Sequence, residues 1–124
     1  MDFETEFVVL TCGEGYILAQ NENEVEFIML DDGEYPKYYI YNYVREKERL
    51  QEYQDGVSFM LHVFSKNTYR NVGVATDGLR FFDILEPLEK NRFQEYLQEG
   101  KKGKIGMLLN RNATIFKDDI SICF

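Results

Sequence analysis

Short apolar runs that alternate with polar residues, each closed by a turn signal, leave this chain few architectures. Glu24 to Leu30 (EVEFIML) opens with Val25, Phe27 and Met29 on one face and Glu24 and Glu26 on the other. That is the two-residue period of a strand with one covered side. Val57 to Phe64 (VSFMLHVF) alternates again, setting Val57, Phe59, Leu61 and Val63 against Ser58, Met60, His62 and Phe64. Glu4 to Leu10 and Tyr16 to Ala19 read as two strands about a Gly13-Glu14-Gly15 turn. Tyr38 to Val44 (YYIYNYV) reads as another, introduced by Pro36, which suits a strand start or an edge. Asp31-Asp32-Gly33 turns the chain ahead of it. Asp77-Gly78, between Arg70–Thr76 and Leu79–Leu85, is the best hairpin signal, because an Asp-Gly pair suits type I′ geometry. Ile105 to Leu109, Ala113 to Phe116 and Ile120 to Phe124 read as three short final strands.

Two stretches change to helical vocabulary. Arg45 to Gln54 (REKERLQEYQ) is followed by Gly56 as a stop. Pro87 sits where a first helical residue belongs, and the pattern runs to Glu99 before Gly100, with Leu88, Phe93, Tyr96 and Leu97 as the apolar stripe. The expected fold is therefore α+β: a mainly antiparallel β-sheet with two α-helices, about 45–54 and 87–99, in one domain spanning 1–124. A chain of 124 residues buries roughly two-thirds of its unfolded surface, enough for a core without cross-links. The helices echo each other: EKERLQEY at 46–53 and EKNRFQEY at 89–96 share six of eight residues. Each follows an Asp-Gly turn and an aromatic pair, Tyr38-Tyr39 or Phe81-Phe82. The echo reads either as two diverged ββαβ repeats, 24–64 and 70–110, or as the default filling of exposed helices.

Charge is unevenly placed. The net charge is -8, yet Met1 to Glu34 holds 10 acidic residues and no basic one, and Val57 to Phe124 holds 8 acidic against 10 basic. The first half therefore argues against direct contact with nucleic acid, whose phosphates call for Lys and Arg, and favours a basic partner. No apolar run approaches a membrane span, and Met1-Asp2-Phe3-Glu4 lacks the regions of a signal peptide, so a cytoplasmic location without membrane contact is expected.

Catalytic and metal signatures are weak. His62, the single histidine, lies between Met60 and Phe64 and reads as a satisfied core or edge residue. Cys12 and Cys123 read as buried small apolar residues. Asp31-Asp32-Gly33-Glu34 fails the spacing of a calcium loop. Gly100-Lys101-Lys102-Gly103-Lys104 follows a helix and lacks the Lys-Ser/Thr pair of a phosphate loop, so its lysines read as balancing a helix C-terminus. No catalytic residue, metal or cofactor is expected.

Six of the nine tyrosines, Tyr35, Tyr38, Tyr39, Tyr41, Tyr43 and Tyr53, fall within 19 residues. Ile40 and Val44 share one face of their strand, which sets Tyr39, Tyr41 and Tyr43 on the other. With Glu24, Glu26, Asp31, Asp32, Glu34 and Tyr35 they make a tyrosine ladder rimmed by carboxylates, a composition that suits protein binding. In size and composition, though by no motif, the chain resembles two kinds of small acidic inhibitor. One kind is the immunity proteins that neutralise bacterial toxins, frequently nucleases; the other is phage anti-CRISPR or anti-restriction proteins that imitate DNA charge. The resemblance implies an inhibitor that occludes a basic, nucleic-acid-binding or catalytic surface of a toxin, nuclease or other effector. Two alternatives stand beside it: a small-molecule-binding domain or enzyme with a pocket between sheet and helices, and a subunit of a homo-oligomer or larger complex, so that the chain itself is monomer or dimer.

Overall fold

The computed structural model describes residues 1–30 and 59–124. The Asp31-Asp32-Gly33 turn, the strand over 38–44, the helix over 45–54 and most of the first repeat unit lie outside those residues. Among the described residues six strands pair antiparallel in two sheets, with two α-helices and a 3₁₀ helix, an α+β fold. β1 (Glu6–Thr11) pairs with β4 (Met60–Ser65) in a two-stranded sheet. β2 (Tyr16–Gln20), β3 (Val25–Met29), β5 (Asn71–Ala75) and β6 (Ile122–Cys123) form a four-stranded sheet in the order β3-β2-β5-β6. The 3₁₀ helix (Asp77–Ile84), α1 (Pro87–Gln98) and α2 (Lys102–Arg111) lie between β5 and β6 in the chain.

The layers follow from β2, where Ile17, Leu18 and Ala19 are all fully buried. Consecutive strand residues face opposite ways, so both faces of β2 must be covered. Leu18 joins the larger core with Val25, Leu79, Leu85, Phe93, Leu97, Leu108 and Phe116, under the helices. Ile17 and Ala19 join Phe64, Phe7 and Val9 of the two-stranded sheet. The order is thus helices, four strands, two strands. Gly13 and Gly15, at φ 107° and 131°, carry the chain from the outer sheet to the inner one. A Cβ at Gly15 would sit 2.6 Å from the carbonyl oxygen of Ala75. An aromatic trio seats the helices: the Phe27 ring centroid lies 4.9 Å from Phe82 and 6.2 Å from Phe93, both edge to face. Such pairs contribute about 0.5–1.5 kcal/mol beyond burial. The side-chain amide of Gln94 ties α1 to β3, accepting from the Val25 N–H at 3.0 Å and donating to its carbonyl at 2.9 Å.

Several expected elements differ. Asp77-Gly78 is not a hairpin turn and Leu79–Leu85 is not a strand; the pair opens the 3₁₀ helix. Period three wins there, because Leu79, Phe82 and Leu85 all pack into the core. Gly78 also lets the chain pass the Asp119 carbonyl, which a Cβ would strike. Ile105–Leu109 is not a strand but the middle of α2, where Ile105, Leu108 and Leu109 share one helix face against the core. Ala113–Phe116 is not a strand either, since turns run from Asn112 to Ile115. The stretch from 70 to 110 therefore runs strand, 3₁₀ helix, helix, helix, and not ββαβ. The lysine-glycine segment also opens a helix as well as closing one, with Gly100 at φ 65° making the corner. Leu88 and Met29 are exposed, not core, and of the two thiols Cys12 is half-buried and Cys123 exposed. No described helix is long and apolar enough to cross a membrane.

Glycine substitutions separate packing from propensity. A Cβ at Gly73 would collide with the carbonyl oxygen of Cys123, whereas one at Gly106, inside α2, meets nothing within 4 Å. Gly73→Ala is expected to destabilise the protein by about 1–3 kcal/mol. Gly106→Ala is expected to stabilise it by about 0.5–1 kcal/mol, because glycine is a poor helix former. Urea unfolding of the two variants checks both signs.

Candidate interaction surface

Among the described residues, the two-stranded sheet packs one of its faces on the core. In its register Phe7 lies opposite Phe64 and Val9 opposite His62, while Val8 lies opposite Val63 and Leu10 opposite Leu61. The first set turns toward β2. The second therefore turns outward, where Leu10, Leu61 and Val63 are 54%, 63% and 53% exposed, with Phe59 at 51% just ahead of β4. Cross-strand apolar pairs left in water are unusual, since their burial elsewhere contributes about 1.5–3 kcal/mol per side chain. This face was not singled out from the sequence. Its signal is that Met60–Phe64 is apolar on both sides of the alternation, so neither side reads as the solvent side.

One end of the molecule carries most of the described N-terminal carboxylates. The Lys66 N–H donates to the Thr5 carbonyl at 3.0 Å and the Arg70 N–H to that of Gln20 at 2.8 Å, bringing the start of β1, the β4–β5 loop and the β2–β3 turn together. Asp2, Glu4, Glu6, Glu22, Glu24 and Glu26 belong to these segments, against Lys66 and Arg70. Lys66 pairs with Asp2, and Arg70 with Glu22 at 3.0 Å. Glu24 is exposed in an Asx turn, its N–H donating to Asn21 Oδ1 at 2.9 Å. Glu26 is different. It is half-buried, accepting from Asn21 Nδ2 at 3.0 Å and from the Tyr69 hydroxyl at 3.0 Å. The hydrogen bond to Glu26 pushes the Tyr69 hydroxyl above its usual titration range, so Tyr69 stays a donor. Of the expected binding residues, the structure therefore places Glu24 outward and gives Glu26 internal partners. Asp31, Asp32, Glu34, Tyr35, Tyr39, Tyr41 and Tyr43 lie outside the described residues.

Among the described residues, His62 and Glu89 have structural partners. His62 Nε2 lies 2.9 Å from Thr11 Oγ1, a satisfied histidine at the sheet interior. Among the described residues no three His, Cys, Asp or Glu side chains converge as metal ligands would. Glu89 is the strongest electrostatic node. It accepts from Arg111 Nη2 at 2.7 Å, from Asn112 Nδ2 at 3.2 Å and from Arg92 Nη1 at 3.1 Å, joining the first turn of α1 to the end of α2.

The Arg111 guanidinium, aided by Asn112 and Arg92, holds the Glu89 carboxyl below its ordinary value of 4.5. A carboxyl with a lowered folded pKa stabilises the protein above its unfolded value and ceases to do so as pH falls through the folded one. Wild type is therefore expected to melt higher than Glu89→Gln at neutral pH, and the gap is expected to close as pH falls below 4.5. Thermal melts across that range check it; a gap that persists in acid would remove the ionic role.

Compared with protein-family models, with curated proteins and with solved structures, the chain matches none.

Proposed function

We propose that this chain is a small acidic protein-binding module that docks on a basic surface of a partner protein and occludes it, without catalysis. The observation that carries the reading is the outer face of β1 and β4, where apolar side chains stand exposed in cross-strand pairs and the face begins at Glu6. An exposed apolar patch edged by polar groups is the usual anatomy of a docking site. Burial of Leu10, Leu61 and Val63 supplies affinity. The carboxylates at the adjoining end steer a basic partner and set its orientation. A surface that normally receives phosphates meets carboxylates there instead, which fits a nuclease toxin or a nucleic-acid-binding effector. Asp31, Asp32, Glu34, Tyr35, Tyr39, Tyr41 and Tyr43 belong to the same proposal, on the chain that joins β3 to β4.

The immobilised protein is expected to retain one basic protein from an extract of its native host. With that pair purified, Leu10→Ser combined with Leu61→Ser is expected to speed dissociation about tenfold or more. Glu4→Lys, Glu6→Lys and Glu24→Lys together are expected to slow association by about tenfold or more, as added salt does for wild type. Association that ignores both charge reversal and salt would remove the acidic-face reading.

A further inference from the structure

We propose that the cavity between α1, α2 and β6 binds a small monocarboxylate with an apolar chain. It lies on the helical side of the four-stranded sheet, away from the docking face, and stands independently of that reading. Its volume is about 380 Å³, within the roughly 300–1,000 Å³ of small-molecule sites. Leu97 closes it toward the core, and Ile105, Leu109, Ile120, Ile122 and Phe124 make its walls. All but Leu97 are half-buried fringe residues of the main core, so the chamber opens from the core toward solvent.

Charge selects the occupant. Among the described residues, Lys102 is the one charged side chain in the lining. The other basic residues around α2 are committed: Lys101 pairs with Glu99, Arg111 with Glu89, and the Lys104 ammonium sits 5.4 Å from the centre of the Tyr96 ring. Lys102 has no ion pair among the described residues. A lysine in the lining of an apolar chamber favours an anionic head on an apolar body. A neutral ligand leaves the charge unused, and a cationic one is repelled. The wall supports this arrangement. Gly106 lines the chamber, and a Cβ there would meet nothing within 4 Å. Glycine is therefore not demanded by packing against the rest of the chain, and its effect is to leave the wall open.

The probe is decanoate, titrated into the isotopically labelled protein and followed by amide chemical shifts, with decylamine as the cationic counterpart. Decanoate is expected to bind saturably in the millimolar range or tighter, shifting Ile105, Gly106 and Ile122, while decylamine binds at least about fivefold more weakly. Gly106→Leu, which narrows the chamber from an exposed position, is expected to weaken decanoate about tenfold. Lys102→Glu is expected to weaken it about fivefold and to bring decylamine level with it or ahead. Both substitutions are at exposed positions; should either fail to fold, the other variant and the contrast between the two probes still decide. Absence of saturable decanoate binding, equal binding of the two probes by wild type, or wild-type affinity in the folded variants would each overturn the proposal.

Discussion

Strand β2 has no solvent side, and the arrangement of every other layer answers to that. Ile17, Leu18 and Ala19 are consecutive and fully buried, so covers are needed both above and below. The helices supply one cover, through Phe93, Leu97 and Leu108. The other comes from β1, just ahead of β2 in the chain, and β4, far beyond it, which pair to place Phe7, Val9 and Phe64 over Ile17 and Ala19. A two-stranded cover has two faces and only one is spent on the core. The exposed Leu10, Leu61 and Val63 are thus a direct result of building a third layer from strands that are apolar on both sides.

Charge is separated along the chain. Residues 1–34 carry ten acidic and no basic side chains, while residues 100–117 carry five basic and no acidic ones. The described part of the acidic set gathers at the start of β1 and the β2–β3 turn, and the basic set lies on α2 and in the segments that flank it. This separation of charge orients an approaching charged body before contact. It also explains why the proposed docking face and the proposed carboxylate cavity favour ligands of opposite charge.

Where sequence and structure agree, a single local signal ruled. Val25 and Phe27 alternate with Glu24 and Glu26, and β3 forms; Pro87 opens α1 and Gly100 ends it. Where they part, tertiary packing chose between two local options. Asp77-Gly78 suits a hairpin, but Leu79, Phe82 and Leu85 gain more by meeting Phe27 and Phe93 from one side of a 3₁₀ helix. The five residues from Ile105 to Leu109 are too short an apolar run to distinguish strand from helix, and two glycines in α2 weaken the helical signal. Half of the candidate surface was legible as acidity. The other half was not, because an exposed Leu61 and a buried Phe64 look alike in sequence; only the register with β1 assigns them to opposite faces.

The bond pair between Gln94 and Val25 has a consequence for assembly. Among the described strands β3 is an edge of the four-stranded sheet, and an edge with a free N–H and carbonyl invites another chain to continue the ladder. At Val25 both groups are taken by one side-chain amide, which offers the donor and acceptor of a neighbouring backbone without being one. The opposite edge, β6, is two residues long, too short to template much pairing. Growth of the inner sheet is thereby hindered at Val25 by a side chain and along β6 by brevity.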